Sequence, residues 1–190
     1  MINLSFPFLI LLILYMITTI AFHLFIREFT LRSWFVMTIF ALYIIIVLCI
    51  VFFPLPYQRE LIQDSIRNHW SVSNNYIPFK GWIDAFKDIK RIGFFSAFYQ
   101  LIMNIALFFP FGFYIPILKD KVGIGRVIEI AFIFSGIIEI IQVVINLSLG
   151  FNYRSFDVDD IICNVTGAIL GYVIYKWVKK YFIDKKVWIN

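Results

Sequence analysis

Charged residues are scarce in this chain of 190 residues, since Asp, Glu, Lys and Arg make up 15% of it and hydrophobic residues 62%. The mean hydropathy of +0.87 lies far outside the range of soluble domains. The few basic residues are scattered between apolar blocks and form no single patch, which excludes a nucleic-acid-binding surface. The sequence therefore predicts an integral membrane protein with one domain over residues 1–190.

Cysteine and histidine are rarer still, with two of each. Cys49 and Cys163 lie inside apolar blocks, where a small buried hydrophobic residue is expected rather than a disulfide. His23 and His69 fall in distant parts of the predicted topology and do not form a shared metal site. Ser135 has no nearby histidine that would activate it as a nucleophile. We therefore predict no metal and no cofactor.

Five apolar blocks each reach the ~20 residues that a helix needs to cross a ~30 Å hydrocarbon core. They cover residues 4–26, 33–53, 94–118, 126–149 and 160–183. The first lacks a basic leader and a cleavage site, so we expect a retained membrane helix rather than a signal peptide. The third contains Pro110 and Pro116, which predict a kink or a break. In the alternative, that helix ends near Phe109 and a re-entrant or interfacial segment follows.

The segment from Tyr57 to Gly93, between the second and third blocks, carries two apolar helical faces. These faces consist of Ile62, Ile66 and Trp70 and of Trp82, Phe86 and Ile89. They predict two amphipathic helices on the membrane surface. The intervening NNYIPF is expected to be extended and turn-like around Pro78. A loop tied down at the interface and a lid facing a substrate are both open readings of this segment. The predicted fold class is an all-α, polytopic membrane bundle with about five transmembrane helices and these interfacial helices.

Lys and Arg are unevenly divided between the two sides that five spans define, with ten of the 17 on one side and seven on the other. The positive-inside rule makes the richer side cytoplasmic. The N-terminus, the long loop and the loop around Arg154 are then outside, and the C-terminus is cytoplasmic. The C-terminal tail mixes lysines with Trp177, Tyr181 and Trp188, which predicts an interface anchor that also suits anionic membrane lipid.

Polar residues recur at helical spacing in the last two apolar blocks. Ser135, Glu139 and Gln142 are related by i, i+4 and i+7, so a helix places them along one face. After Gly150, which is suited to ending that helix, a second series follows at steps of 3, 3, 4, 3 and 4. This series is Arg154, Asp157, Asp160, Asn164, Gly167 and Gly171. Asp157 is expected to cap the second helix, with Asp160 in its first turn and Arg154 within reach of either carboxylate.

Glu139 is the most informative of these residues, because a carboxyl near the middle of a membrane helix costs ~2.5 kcal/mol or more and needs a partner. Asn104 lies at a similar depth in the third block and is expected to meet it. For Asn104 and Gln142, interhelical hydrogen bonding is the competing explanation. Gly167 and Gly171 form G-x-x-x-G, which predicts close helix packing. A site for Ca²⁺ or Mg²⁺ at Asp157, Asp159 and Asp160 lacks a pattern of spaced ligands.

Three motifs together resemble the VanZ-like family of membrane proteins. They are NIALFFPFGF from Asn104, S-x-x-x-E-x-x-Q from Ser135, and R-x-x-D-x-x-D-x-x-x-N-x-x-G-x-x-x-G from Arg154. With NYIPF in the long loop, the resemblance covers about residues 75–175. It implies a multi-pass protein of the bacterial cytoplasmic membrane, of the glycopeptide-resistance type, that reduces susceptibility to teicoplanin-like lipoglycopeptides.

Three functions remain open from the sequence. In the first, an outward-facing polar cleft binds an amphipathic ligand, either a lipid-linked wall precursor or a lipoglycopeptide, with Arg154 as the anion contact. The candidate ligand-binding residues are Asn104, Ser135, Glu139, Gln142, Arg154, Asp157, Asp160 and Asn164. In the second, the protein is an intramembrane enzyme on a lipid-linked substrate, with Glu139 as general acid or base. In the third, it is a scaffold for another envelope protein.

Overall fold

A computed structural model describes residues 5–25, 31–119 and 121–183 of the protein. These ranges form seven α-helices and no named β-strand, which confirms the all-α prediction. The helices are α1 Ser5–Phe25, α2 Leu31–Phe52, α3 Arg59–Arg67, α4 Lys80–Ile92, α5 Phe94–Leu118, α6 Ile124–Leu149 and α7 Val158–Val178, followed by a π-helical turn at Lys179–Ile183. Trp188 and the rest of residues 184–190, in the predicted anchor, lie outside the described residues.

Within the described residues, four helical stretches are long and apolar enough to cross a membrane. They are Trp34–Phe52, Phe94–Leu118, Ile124–Leu149 and Val158–Tyr181. The first predicted span coincides with α1, in which the described apolar stretch, Pro7–Ile17, is shorter than these four. The protein is a multi-pass helical membrane bundle.

The third predicted span is one uninterrupted helix, α5, with Pro110 and Pro116 inside it. The helix therefore does not break, and the alternative in which it ends near Phe109 and a re-entrant or interfacial segment follows is wrong. The kink stays a prediction. Each proline removes one backbone hydrogen bond, but a membrane helix tolerates this loss where neighbouring elements surround it. Phe111, Gly112, Ile115 and Pro116 are buried, which places this part of α5 within the protein.

The chain divides into two compact units, Met1–Trp70 and Ser71–Asn190. In the first unit, α1 packs against α2, and the Tyr15 hydroxyl donates a 2.7 Å hydrogen bond to Thr38 Oγ1. The α3 helix also belongs to this unit and has no buried residue. This helix is the first of the two predicted amphipathic helices. Of its predicted apolar face, Ile62 and Ile66 lie in α3, whereas Trp70 lies beyond the end of the helix.

In the second unit, α7 packs mainly against α5 and also contacts α6. Glycines allow the close approach of α5 and α7. A Cβ atom at Gly112 would overlap the backbone of Ala168, and one at Gly167 would overlap the carbonyl oxygen of Ile105. Gly171 faces the same constraint from the α5 backbone. The predicted packing role of the G-x-x-x-G motif is thus confirmed, and it fixes where α7 presents its polar side chains.

The second predicted amphipathic helix, α4, rests on the start of α5. Its Ala85 is buried against Phe98, Leu101 and Cys163. The rings of Phe86 and Phe98 pack edge to face with centroids 5.0 Å apart. The location of α4 on the membrane surface stays a prediction, but its apolar face has a protein partner.

Candidate functional site

The part of the long loop that follows Trp70 is docked onto the connection between α6 and α7. Val72 N donates to the carbonyl of Asn152 at 2.9 Å, and Asn75 N donates to that of Phe156 at 2.8 Å. In return, Val158 N donates to the Asn75 carbonyl at 3.1 Å, so Asn75 and Asp157 form an isolated parallel β-bridge. Residues 71–79, hereafter the docked segment, are therefore held by backbone hydrogen bonds, which sequence periodicity does not reveal.

Asn75 is the centre of this docking and is itself buried. Its side-chain nitrogen donates to Asp157 Oδ1 at 2.8 Å and to Asp159 Oδ2 at 3.2 Å. Its side-chain oxygen accepts a hydrogen bond from Ile77 N at 3.1 Å. Both ends of the amide are thus used, and the docked segment is fixed to the first turn of α7.

Asp159 joins the docked segment and α4 to α7. Its side chain is 0% exposed. Its carboxylate accepts hydrogen bonds from Phe79 N and, at 2.7 Å, from Gly81 N, in addition to the Asn75 amide. These backbone donors open α4, so one carboxylate lies at the N-termini of two helices, where negative charge is stabilised. A Cβ atom at Gly81 would lie 3.0 Å from Asp159 Oδ2, and glycine therefore permits this approach.

Asp157 caps α7 as predicted. Its Oδ1 accepts a 2.8 Å hydrogen bond from Asp159 N. Burial raises the pKa of the Asp157 carboxyl above its ordinary value, and hydrogen bonds from Asp159 N and the Asn75 amide act in the opposite direction. The backbone N–H of Asp157 donates to Glu139 Oε2 at 3.1 Å. The cap of α7 therefore lies against the side chain of Glu139 on α6.

Glu139 is 2% exposed, which agrees with the prediction of a buried carboxyl that has a partner. The contact with Asp157 defines the path of the connection between α6 and α7. Glu139 lies ten residues before Leu149, the last residue of α6, or about 15 Å along the helix. Since Asp157 reaches Glu139, residues 150–157 fold back along α6. Non-helical backbone at such a depth is tolerated where protein encloses it or where it lines a polar cavity.

Asn146 holds this returning connection. Its Oδ1 accepts hydrogen bonds from Tyr153 N at 2.9 Å and Arg154 N at 3.1 Å, and its Nδ2 donates to the Arg154 carbonyl at 2.6 Å. The Arg154 guanidinium carbon lies 5.6 Å from the centroid of the Tyr153 ring. The expected pairing of Arg154 with Asp157 or Asp160 stays a prediction.

Asp160 connects α7 to α5. It accepts hydrogen bonds from Asn104 Nδ2 and, at 3.2 Å, from Gln100 Nε2. Asn104 was expected to meet Glu139, but its hydrogen bond goes to Asp160, because α5 packs most extensively on α7. The two carboxyls nevertheless lie in one region, since Asp160 is within one turn of Asp157, the hydrogen-bond partner of Glu139.

Ser135 and Asn164 form the deeper part of this region. Asn164 Nδ2 donates to Ser135 Oγ at 2.8 Å, and both side chains are buried. Two buried acceptors, Gln142 Oε1 and Asn164 Oδ1, have no hydrogen-bond partner among the described residues. Buried acceptors ordinarily have a donor, so these two oxygens have capacity for one.

The predicted site residues are thus brought together by α5, α6 and the start of α7. We call this group the polar cluster: Asn104, Ser135, Glu139, Gln142, Asp157, Asp160 and Asn164. Arg154 belongs to the connection beside it. In the described ranges, no group of three or more His, Cys, Asp or Glu residues is arranged to hold a metal ion.

Comparison with known proteins agrees with this architecture. The family model described as VanZ/LLP1 matches residues 40–179. The chain belongs to the VanZ/LLP1 family. It is similar to Protein VanZ from Enterococcus faecium, with 26% identity over 147 residues that cover 77% of this chain and 77% of the relative. No solved structure matches. As a VanZ/LLP1 protein, the chain is matched from within α2 onward, and the match includes the whole polar cluster.

Four residues of this VanZ/LLP1 site were missed from the sequence. Asn146 continues the spacing of Glu139 and Gln142, and Gln100 lies one turn before Asn104, so extending the helical period would have found both. Asp159 was weighed only as a cation ligand, since it lies one residue off the stripe of Asp160. Asn75 begins the NYIPF motif of the resemblance, but its contacts gave no local signal, because its partners are more than 80 residues away.

Proposed function

We propose that this protein is an envelope factor that lowers susceptibility to teicoplanin-type lipoglycopeptides by binding an amphipathic ligand at the polar cluster. Family membership and the similarity to Protein VanZ support the resistance part of the proposal. The observation that carries the binding part is the buried carboxyl of Glu139, fixed beside the cap of α7. Maintaining such a group within a membrane helix is costly and is ordinarily associated with function.

The chemistry of the cluster suits a ligand with hydroxyl or amide donors. Gln142 Oε1 and Asn164 Oδ1 are acceptors with remaining capacity, and the carboxyls of Glu139 and Asp160 add further acceptors. Arg154, beside the cluster, is the proposed contact for a phosphate or carboxylate. A lipid-linked wall precursor has all of these groups together with a chain that partitions into the bilayer. The acylated antibiotic has the same combination.

The proposal predicts a larger effect on teicoplanin than on vancomycin. A lipoglycopeptide concentrates at the membrane through its acyl chain, so a membrane-embedded factor meets it there. We would measure inhibitory concentrations in a susceptible Gram-positive host that produces the wild type, Glu139→Gln or Gly167→Leu, with membrane abundance quantified for each. Glu139→Gln preserves shape and an acceptor for Asp157 N but removes the titratable group. Gly167→Leu disrupts helix packing and serves as the variant that loses abundance.

Protection against teicoplanin that exceeds protection against vancomycin is the expected result for the wild type. Glu139→Gln should weaken protection at normal abundance if the carboxylate contacts the ligand. No change in susceptibility from any version at normal membrane levels would contradict the resistance assignment.

A second candidate is an intramembrane enzyme on a lipid-linked substrate, with Glu139 as general acid or base. It is favoured by the grouping of Glu139 with Asp157 and Asp160, since neighbouring carboxyls are a common means of tuning proton transfer. Purified protein in lipid should then turn over a labelled wall precursor, and Glu139→Gln should abolish turnover. Equal protection by Glu139→Gln and wild type would exclude acid–base chemistry at this residue. Protection without turnover would favour binding, or the scaffold function.

A further inference from the structure

A cavity of about 470 Å³ lies at the far end of α7 from the polar cluster. Lys121 and Val122 of the connection between α5 and α6 form one wall, and Pro116 at the end of α5 contributes to it. The opposite wall consists of the last turn of α7 and the π-helical turn, with Tyr175, Lys176, Trp177, Lys179 and Lys180. Four lysines therefore surround one cavity, and none of its lining residues among those that the structure describes is acidic.

The cavity is held open between fixed elements. The Tyr172 hydroxyl donates a 3.2 Å hydrogen bond to the Val122 carbonyl, which ties the connection between α5 and α6 to α7. Trp177 packs on Tyr181 with ring centroids 5.2 Å apart, directly beside the lysines. The α7 helix passes into a π-helical turn at Lys179, and Lys179 and Lys180 of this turn line the cavity.

The position of the cavity along α7 corresponds to a membrane interface. Lys176 lies 16 residues after Asp160, or about 24 Å at the helical rise, which approaches the ~30 Å thickness of a hydrocarbon core. The span that contains both residues ends at Tyr181. Tryptophan and tyrosine beside lysine are typical of the headgroup level, where aromatic rings contact acyl chains and ammonium groups contact phosphate.

We propose that this cavity is a specific binding site for the phosphate headgroup of one anionic membrane phospholipid. The four ammonium groups complement the phosphate, and Val122, Tyr175 and Trp177 supply apolar contact for the start of the acyl chains. Charge complementarity alone would also accept inorganic phosphate. The aromatic and aliphatic wall at the end of a membrane span favours the lipid, because free phosphate gains nothing from apolar contact.

The test is lipid retention by the purified full-length protein. In uncharged detergent, native mass spectrometry should find one tightly held phosphatidylglycerol per chain and at least ~10-fold weaker retention of phosphatidylcholine. Lys176→Gln/Lys179→Gln/Lys180→Gln should reduce phosphatidylglycerol retention at least ~10-fold. Replacing the same three lysines with arginine keeps the charge and should preserve most of the retention.

The matched control, Lys87→Gln/Lys90→Gln/Arg91→Gln, removes three charges from the exposed face of α4. Its Lys87 and Arg91 side chains are 70% and 72% exposed. This control should retain phosphatidylglycerol like the wild type, and both glutamine variants should unfold at the wild-type temperature in lipid-free detergent. If the cavity variant does not fold, Lys121→Gln, outside the helices, should still weaken retention several-fold. Equal losses in cavity and control variants, or displacement of the lipid by millimolar inorganic phosphate, would overturn the proposal.

Discussion

Replacing Asp159 with alanine should release the docked segment and the start of α4 from α7. The Asp159 carboxylate is fully buried and accepts hydrogen bonds from Phe79 N, Gly81 N and the Asn75 amide. The substitution leaves these donors without their acceptor at hydrogen bonds that are at least partly buried. An orphaned buried donor costs ~1–3 kcal/mol, and three donors near the low end of that range lower the local docking free energy by roughly 3 kcal/mol.

Hydrogen–deuterium exchange in detergent micelles measures this loss directly. A decrease of about 3 kcal/mol in the local opening free energy corresponds to exchange about 100-fold faster. The acceleration should appear at the amides of Phe79 and Gly81 and spread through residues 71–79. Asp159→Asn should have a smaller effect than Asp159→Ala, because its side chain retains one acceptor oxygen. It should still weaken the docking, because its NH₂ group faces a backbone donor.

Asp84→Ala is the matched control for this prediction. Asp84 is also acidic and lies on α4, but it forms an exposed ion pair with Lys87, for which ~0–1 kcal/mol is typical. Its exchange pattern should remain close to the wild type. Unchanged exchange at Phe79 and Gly81 in Asp159→Ala would refute the reasoning, because the carboxylate would then contribute nothing to docking.

Three further substitutions test other parts of the second unit. Gly167→Ala should lower thermal stability by several kcal/mol through overlap with the α5 backbone, whereas Gly136→Ala, whose Cβ meets nothing within 4 Å, should be tolerated in the same unfolding assay. Arg154→Lys should restore little of the protection lost in Arg154→Ala at equal abundance, because an ammonium group cannot donate two parallel hydrogen bonds to one anion as a guanidinium does. Full protection by Arg154→Lys would show that the site requires only a positive charge. In intact cells, a membrane-impermeant thiol reagent should label Lys87→Cys but not Gly123→Cys, and the reverse pattern would invert the predicted orientation.

The helices were predictable because their cause is local. Twenty or so apolar residues in a row specify a membrane helix, and Asp157 before Val158 specifies its cap. The predicted break in α5 is absent because the helix tolerates the backbone hydrogen bonds that its prolines remove. It tolerates this loss because Gly112 lets α5 pack closely against α7. That contact joins residues more than 50 positions apart, and helical periodicity carries no information about it.

The polar cluster was predictable as a set of residues but not as a network. The spacing of Glu139 and Asp160 placed each on the inner face of its own helix, which the buried position of Glu139 confirms. The pairing of Asn104 with Asp160 rather than Glu139 depended on which helices are neighbours. The docking through Asn75 and Asp159 depended on a loop whose own sequence gives only a turn signal.

The return of residues 150–157 along α6 changes the surroundings of Glu139 and therefore the free-energy cost of its carboxyl within a membrane helix. By residue count the carboxyl lies deep in a span, yet its partner is a backbone N–H of a connection that enters from the end of α6. The α6 helix has 26 residues and is about 39 Å long, longer than the ~30 Å core, so its last turns have length to reach the headgroup region. The connection and the docked segment then replace lipid around Glu139 with polar protein, which lowers the cost of the carboxyl.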